Sequence, residues 1–316
     1  MSPTNSVEPL NSSTIGRERP IDDNVTVTGS LVTLIDRTTF QFDCSEEFAL
    51  LIAEHNLSRV SANTASKGPE YLCPKCKKIV ILKRGRIVVA HFSHKPPTNC
   101  SWARGETKAH LEAKQIVFDG LQARGVTAML EYVVDTLPGD RRADVMAWST
   151  TNALAIELQH TSIGIPEIEA RANAYSRAGI AQIWLPFLSG SVLSASEPRA
   201  GGTLFVERYS PRPFEKWVHG FGGGDGMWMY VPDEKAFRHA KMKGHQTYVE
   251  SSSWFGEGGE EMSAGGFYKW SKRYRELTLS RPYKIHELLI SIKQRTASSM
   301  ASYNWPAASV ATFKPQ

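Results

Sequence analysis

Four cysteines occur in 316 residues, and three of them crowd with two histidines into one short stretch. The spacing is Cys73-x2-Cys76-x14-His91-x2-His94-x5-Cys100. Two thiolates separated by two residues can bite one tetrahedral metal ion, and a hairpin can return imidazole and thiolate ligands to the same point. The segments KKIVILK and IVVAHFS, joined by Arg84-Gly85, predict that hairpin. Five side chains compete for four positions. His91 and His94, three apart on a strand, would point to opposite faces, so one of them binds. The favoured set is Cys73, Cys76, His94 and Cys100, with His91 as the substitute. The site reads as structural Zn²⁺ with no open position for water. Cys44 stands apart and reads as a small core residue.

Composition frames the rest. Apolar residues make up 41% and charged residues 22%, with a net charge of +5. Mean hydropathy is −0.31, and no apolar run is long enough to span a bilayer. The opening residues, MSPTNSVEPLNSS, have neither a basic start nor an apolar core, so no secretory signal is expected and the cytoplasm is the expected location, with no membrane partner. Residues 1–25 read as a disordered tail rich in Ser, Thr, Asn and Pro. Residues 26–70 read as strands SLVTLID and TFQFD, a helix SEEFALLIAEHNL capped by Ser45, and a linker. Residues 71–104 hold the knuckle hairpin.

From about Glu106 the pattern becomes regular. A helix to Arg124 with Gly125 as its stop precedes three strands, AMLEYVVDT, RRADVMAWS and ALAIELQ, in a tight meander. A helix over 165–177 and a buried strand, IAQIWLPFL, close the unit. The fold class is α/β, an α+β mixed sheet with αβββαβ order over residues 105–190. Residues 191–295 read as an irregular Gly- and aromatic-rich region, and 296–316 as a second tail. Gly222-Gly223-Gly224 lacks the Gly-Lys-Ser/Thr ending and the preceding strand of a phosphate loop.

Glu157 and Gln159 lie two apart on one strand and share a face. Asp144, on the strand before, falls beside Glu157 across the turn. Adjacent carboxylates repel unless a cation sits between them, and hard oxygen ligands suit Mg²⁺ or Mn²⁺. Glu106, His110 and Lys114 form one stripe on the first helix; such a stripe ordinarily faces solvent, but the order of elements points it at the carboxylates.

That order resembles the PD-(D/E)xK nucleases with their restriction-endonuclease-like core. More closely, YLCPKCKKIVILKRGRIVVAHFSHK, GETKAHLEAK, RRADVMAW and AIELQHTSI, with Arg171 and Tyr175 before IAQIWL, resemble the CoiA-like competence-protein family. The resemblance implies a metal-dependent DNA nuclease with a zinc-type knuckle, acting in DNA processing or recombination, on incoming DNA during competence. Carried over by residue, Asp144 and Glu157 match the metal-binding acids and Glu106 the helix acid. Gln159 stands where those nucleases carry Lys; it can position a water but cannot take its proton. Lys114 would then stabilise charge on the phosphate, and His110, near neutrality, could act as base. Expected partners are DNA, single-stranded or branched over plain duplex, and recombination proteins. The alternatives are a catalytically silent DNA-binding recombination mediator, a protein-binding zinc adaptor, or a mobile-element or defence protein.

Ten basic residues lie between Cys73 and Lys114 (Lys75, Lys77, Lys78, Lys83, Arg84, Arg86, Lys95, Arg104, Lys108 and Lys114) against Glu106 and Glu112, making the hairpin a candidate phosphate-contacting element. Arg171 and Tyr175 share a helix face and are expected to pack and pair. Distally, Trp254, Phe255, Phe267, Tyr268, Lys269, Trp270, Lys272, Arg273, Tyr274 and Arg275 alternate aromatics with base. That mixture suits single-stranded nucleic acid, but the plainer reading, preferred here, is that the aromatics form a small core.

Overall fold

In the computed structural model, residues 49–103, 106–135 and 140–316 are described. The predicted strands SLVTLID and TFQFD, Ser45, Cys44 and the N-terminal tail lie outside them.

The central unit is built on helix α1, Lys108–Gln122. The Thr107 side chain caps it by accepting from the His110 amide. Leu111, Val117 and Leu121 are buried along one stripe, and Gly125, at φ 72°, lets the chain leave. The strands Thr127–Asp135, Asp140–Trp148 and Ala153–Gln159 follow as an antiparallel meander. Helix α2, Ile165–Arg177, carries proline in its first turn and returns the chain to Ala181–Pro186, which pairs parallel with Ala153–Gln159. That last strand is buried at every residue. Its near-continuous apolar run is what a parallel strand covered on both faces requires. α1 covers one face, with Leu111, Val117 and Leu121 against Val145, Ile156 and Ile183. α2 covers the other through Ile168 and Ala172, beside Trp184.

Three expectations are corrected. SEEFALLIAEHNL is not a helix where described: Ala49–Leu50 and Ile52–His55 are strands. Residues 49–53 are all buried, so the run shows no alternation, and a short buried strand then cannot be told from a helix. A turn with Asn56 at φ 47° and Leu57 at φ 63° leads into Ser58–Ser61. Leucine is no turn signal, and this hairpin was hidden. These strands join the knuckle strands Tyr71–Leu72, Ile79–Lys83 and His91–His94 in one six-stranded sheet, so residue 70 does not separate two bodies. The returning knuckle strand is shorter than IVVAHFS, beginning at His91.

The second correction concerns residues 191–295. They hold a five-stranded sheet ordered Glu197–Arg199, Thr203–Tyr209, Phe267–Leu279, Ala236–Val249 and Met227–Val231, with two strands of 14 and 13 residues. A helix, Pro213–Phe221, packs Phe214, Trp217 and Phe221 into its core. The third concerns the expected tail. Ala308–Pro315 is a strand inside the sheet of the central unit, between Leu288–Arg295 and Ala181–Pro186. Val310, Ala311 and Phe313 are buried there. Trp305 anchors the approach: its indole donates to Trp217 O at 2.9 Å, while the Trp217 indole donates to Asn304 O at 3.1 Å. The described residues cluster as one compact unit. Among the described residues, no helix is long and apolar enough to cross a membrane.

Candidate active site

Two groups of ligand-type side chains come together. In the first, one ligand atom each from Cys73, Cys76, His94 and Cys100 all lie within 4.8 Å of one another. Lys77, at φ 56°, makes the tight turn, with the Lys77 amide donating to Cys73 O and the Cys73 amide to Lys78 O. His94 Nε2 lies 3.4 Å from Cys76 Sγ. His91 points elsewhere, its Nδ1 2.9 Å from Val89 O. Burial pushes the Cys73 thiol up to about 12. For Cys76 burial acts upward too, but hydrogen bonds from the Lys78 backbone and the other two thiols outweigh it and bring it below the ordinary thiol range.

The second group is Glu106, His110 and Asp144, whose ligand atoms also converge within 4.8 Å. Asp144 enters from the strand, His110 from the first turn of α1 and Glu106 from just before its cap. They sit on the floor of a cleft of about 510 Å³, whose walls include Trp102, Arg142, Gln159, His160 and Arg171. His110 bridges the acids, with Nδ1 2.8 Å from Glu106 Oε2 and Nε2 3.2 Å from Asp144 Oδ2. The stripe on α1 therefore faces inward.

Lys114 is fully buried, with Nζ 3.0 Å from Glu106 Oε1 and 2.8 Å from Glu131 Oε1. Asp144 Oδ1 is 3.9 Å away. The expected role for Lys114, touching a phosphate, does not fit: its ammonium is spent on internal carboxylates. His110 as a base near neutrality does not fit either. Burial acts to lower it, but Glu106 and Asp144 overcome this and hold the imidazole protonated up to about 9. Burial would raise Asp144, yet His110 and Lys114 bring it down to about 2. Glu106 is likewise well below the usual range despite burial, held there by Lys114, His110 and Arg142.

Val145 opposite Ile156 puts Asp144 beside Glu157 on the adjacent strand, yet the two carboxylates diverge. Asp144 Oδ2 accepts from the Leu158 amide at 2.8 Å. Glu157 turns toward α2, accepting from Tyr175 Oη and Arg171 at 2.5 Å each. Each acid has its own cation instead of one cation between both. Burial, with Asp144 adding repulsion, pushes Glu157 up to about 7 against the pull of Arg171 and Tyr175. Gln159 reaches the cleft, its Nε2 donating to Thr161 O at 2.7 Å.

Three participants had weak sequence signals. Glu131 lies opposite Asp144 in the register set by Leu130↔Val145 and Tyr132↔Ala143. At Glu131, φ 50°, the strand changes phase: Ala128 and Leu130 pack toward α1, but Val134 packs toward Tyr175. Its partner strand changes phase at Asp144, between Val145 and Ala143. The break turns both carboxylates onto Lys114. Arg142 donates to Glu106 Oε1 at 3.0 Å and lies over the Trp102 ring at 5.0 Å. His160 follows Gln159 into the cleft, and burial, then the charges of His110 and Arg212, lower its pKa so that it stays neutral. An acid in a strand, an Arg before Asp144 and a His after Gln159 each look ordinary until the cleft is assembled.

The basic hairpin is partly committed inward. Lys77 pairs with Glu54 at 2.6 Å, and Arg84 donates to the carbonyls of Ala62, Asn63 and Ala65. With Lys114 buried, the face available to phosphate is smaller than the ten-residue count implies.

Residues 54–103 match the family described as Competence protein CoiA, N-terminal domain, and residues 106–194 that described as Competence protein CoiA, nuclease-like domain. Among curated proteins, Competence protein CoiA of Bacillus subtilis (strain 168) is 28% identical over 176 residues, 55% of this chain and 44% of that protein. The match thus spans under half the length of that relative. No solved structure matches.

Proposed function

We propose that this chain, a CoiA-like protein across residues 54–194 with a nuclease-like domain, is a metal-dependent nuclease that hydrolyses phosphodiester bonds of DNA. The αβββαβ order of the central unit supports a restriction-endonuclease-like core. The observation that carries the reading is the convergence of Glu106, His110 and Asp144 on the floor of an open, arginine-walled cleft.

The donor set fits a divalent ion. Two carboxylates supply hard donors, which suit Mn²⁺ or Mg²⁺, and an ion entering there would displace the proton that His110 holds between the acids, freeing its imidazole as a further donor that favours Mn²⁺. A metal held there supplies Lewis-acid charge and a bound water of lowered pKa. Glu106 and Asp144 hold it, and Leu158 N–H fixes the Asp144 carboxylate. Glu157 fixes Arg171, and Arg142 and Arg171 bring positive charge to the wall where a phosphate would enter. Gln159 orients the attacking water. His160, neutral beside it, takes the proton that Gln159 cannot. Cys73, Cys76, His94 and Cys100 fit Zn²⁺ as a closed structural site that ties the hairpin together. DNA processing or recombination is the setting implied by the family.

The silent DNA-binding reading has one observation in its favour: Lys114 is buried and position 159 is Gln, so among the described residues no lysine stands at the floor of the cleft. The deciding experiment is cleavage of single-stranded, duplex and branched DNA with Mg²⁺ or Mn²⁺, comparing wild type with Asp144→Ala. Metal-dependent cutting that disappears in the variant supports the nuclease. Equal cutting by both overturns the site, and binding without cutting by either moves the conclusion to the silent form.

A further inference from the structure

The distal aromatics do not form a core. Beyond Gly244↔Arg275, where the five-stranded sheet ends, two strands continue alone, pairing from Gln246↔Trp270 to Val249↔Phe267. At roughly 3.4 Å per residue, the arm from Gly244 to Val249 reaches about 17 Å out, before a further small hairpin at its tip. A two-stranded ribbon has no second layer to bury its side chains. Tyr268 is 67% and Trp270 66% exposed, and Tyr248 is 50% exposed.

These three rings share one face, because the rungs Gln246↔Trp270 and Tyr248↔Tyr268 lie two residues apart. Tyr248 and Tyr268 touch, with ring centroids 5.1 Å apart. Gly244 leaves a flat seat for the Trp270 ring, which a Cβ there would meet at 2.7 Å. Successive rungs place Tyr268 and Trp270 about 7 Å apart, roughly twice the 3.4 Å rise between stacked bases. Directly after Trp270 the strand bulges, with four residues, 271–274, set against His245 alone. The bulge exposes Lys272 and Arg273.

We propose that this ribbon is a binding surface for single-stranded nucleic acid, with Tyr248, Tyr268 and Trp270 stacking on bases and Lys272 and Arg273 taking the phosphates. The charge decides between partners. A protein-binding patch of exposed aromatics is ordinarily depleted in lysine at its centre, whereas here cations adjoin the rings. A duplex keeps its bases stacked inside and offers no faces to these rings, so the single strand is selected. The acidic tip, with Glu257, Glu260 and Glu261, confines the contact to the base of the arm. The inference deepens the DNA-acting reading by naming the substrate form.

The test uses full-length protein and a fluorescein-labelled oligothymidylate, read by anisotropy with neither Mg²⁺ nor Mn²⁺ added and no chelator present, so that binding is separated from cleavage without stripping the thiol cluster. Tyr268→Ala/Trp270→Ala is expected to bind at least about tenfold more weakly than wild type, since each stacked base contributes on that order, and Lys272→Ala/Arg273→Ala to bind more weakly with a shallower salt dependence. Circular dichroism checks that the variants are folded. Unchanged affinity in both folded variants overturns the proposal and leaves a protein as the occupant, and equal affinity of wild type for a duplex of the same length overturns it by removing the stacking that selects the single strand. Loss of binding in the ribbon variants while neither wild type nor Asp144→Ala cuts DNA would overturn the nuclease reading and leave this one standing.

Discussion

Lys114→Met separates a structural lysine from a substrate-binding one. Lys114, Arg142 and His110 carry three positive charges against Glu106, Glu131 and Asp144, so the buried cluster is neutral with its lysine in place. Methionine fills similar volume but leaves Glu106 and Glu131 without the ammonium that lies 3.0 and 2.8 Å from them. Removing one partner of a buried ion pair costs about 3–5 kcal/mol, because the remaining charge stays desolvated. For a unit of this size that lowers Tm by on the order of 10 °C. The assay is urea unfolding followed by tryptophan fluorescence, with single-strand binding measured at a temperature where both proteins are folded. The expected result is a large stability loss with binding unchanged. Adding Glu131→Gln to Lys114→Met removes one unpaired carboxylate and should return about half of the loss. If Lys114→Met unfolds within about 1 kcal/mol of wild type while DNA affinity falls, the ammonium touches substrate and the buried-cluster reasoning is wrong.

Three further outcomes are expected. Glu157, raised by burial to about 7 from 4.5, takes up a proton on folding, so its contribution falls as pH rises from 4.5 to 7. The wild type should lose on the order of 3 kcal/mol relative to Glu157→Gln across that window, and urea midpoints whose gap does not change with pH would refute it. Stripping metal with a strong chelator should lower the melting temperature and raise the number of titratable thiols. Cys76→Ser should start low and be insensitive to chelator, and a wild type that carries no zinc by elemental analysis removes the premise. Gly220→Ala places a Cβ 2.2 Å from the Trp305 ring, so it should destabilise by roughly 1–3 kcal/mol; an unchanged melting curve would mean that Trp305 is not seated there.

What could be read from the chain follows from how local each signal is. The helix, three-strand meander, helix and strand were legible because their signals are local: Gly125 stops the first helix, and the connections between the three strands are tight. The Cys73–Cys100 grouping was legible because thiol and imidazole spacing survives any detail of the backbone. Asp144 and Glu157 were placed beside each other by strand register, but not their partners, since the direction of a carboxylate depends on which cation reaches it first. Arg171 and Tyr175 reach Glu157 from α2; His110 and the Leu158 amide reach Asp144. Residues 49–53 misled because burial on both faces erases the period that distinguishes strand from helix. The closing strand misled because its ladder partners, Gln182 and residues 288–295, are set by long-range pairing that no local pattern carries.

The same cluster that fills the core under the cleft also joins it to the knuckle sheet. Glu131 Oε2 accepts from the Leu51 amide at 3.2 Å, and Arg59 donates to the carbonyls of Leu130 and Glu131 at 3.1 and 2.9 Å. Arg59 belongs to the sheet that carries His94 and leads into Cys73, and Leu51 links two of its strands; Glu131 belongs to the strand beside Asp144. The left-handed backbone at Glu131 costs of order 1–2 kcal/mol, and these contacts offset it. A change at the thiol cluster therefore reaches the carboxylates through one strained residue: if the knuckle sheet loosens, Arg59 and Leu51 release Glu131, Lys114 loses one of its two close acids, and Glu106 and Asp144 lose the fixed geometry on which the proposed metal binding depends. Arg59→Ala should accordingly weaken Mn²⁺ affinity although Arg59 is not one of the three side chains whose ligand atoms converge there. Titration calorimetry giving wild-type affinity in that variant would show that the two sites act independently.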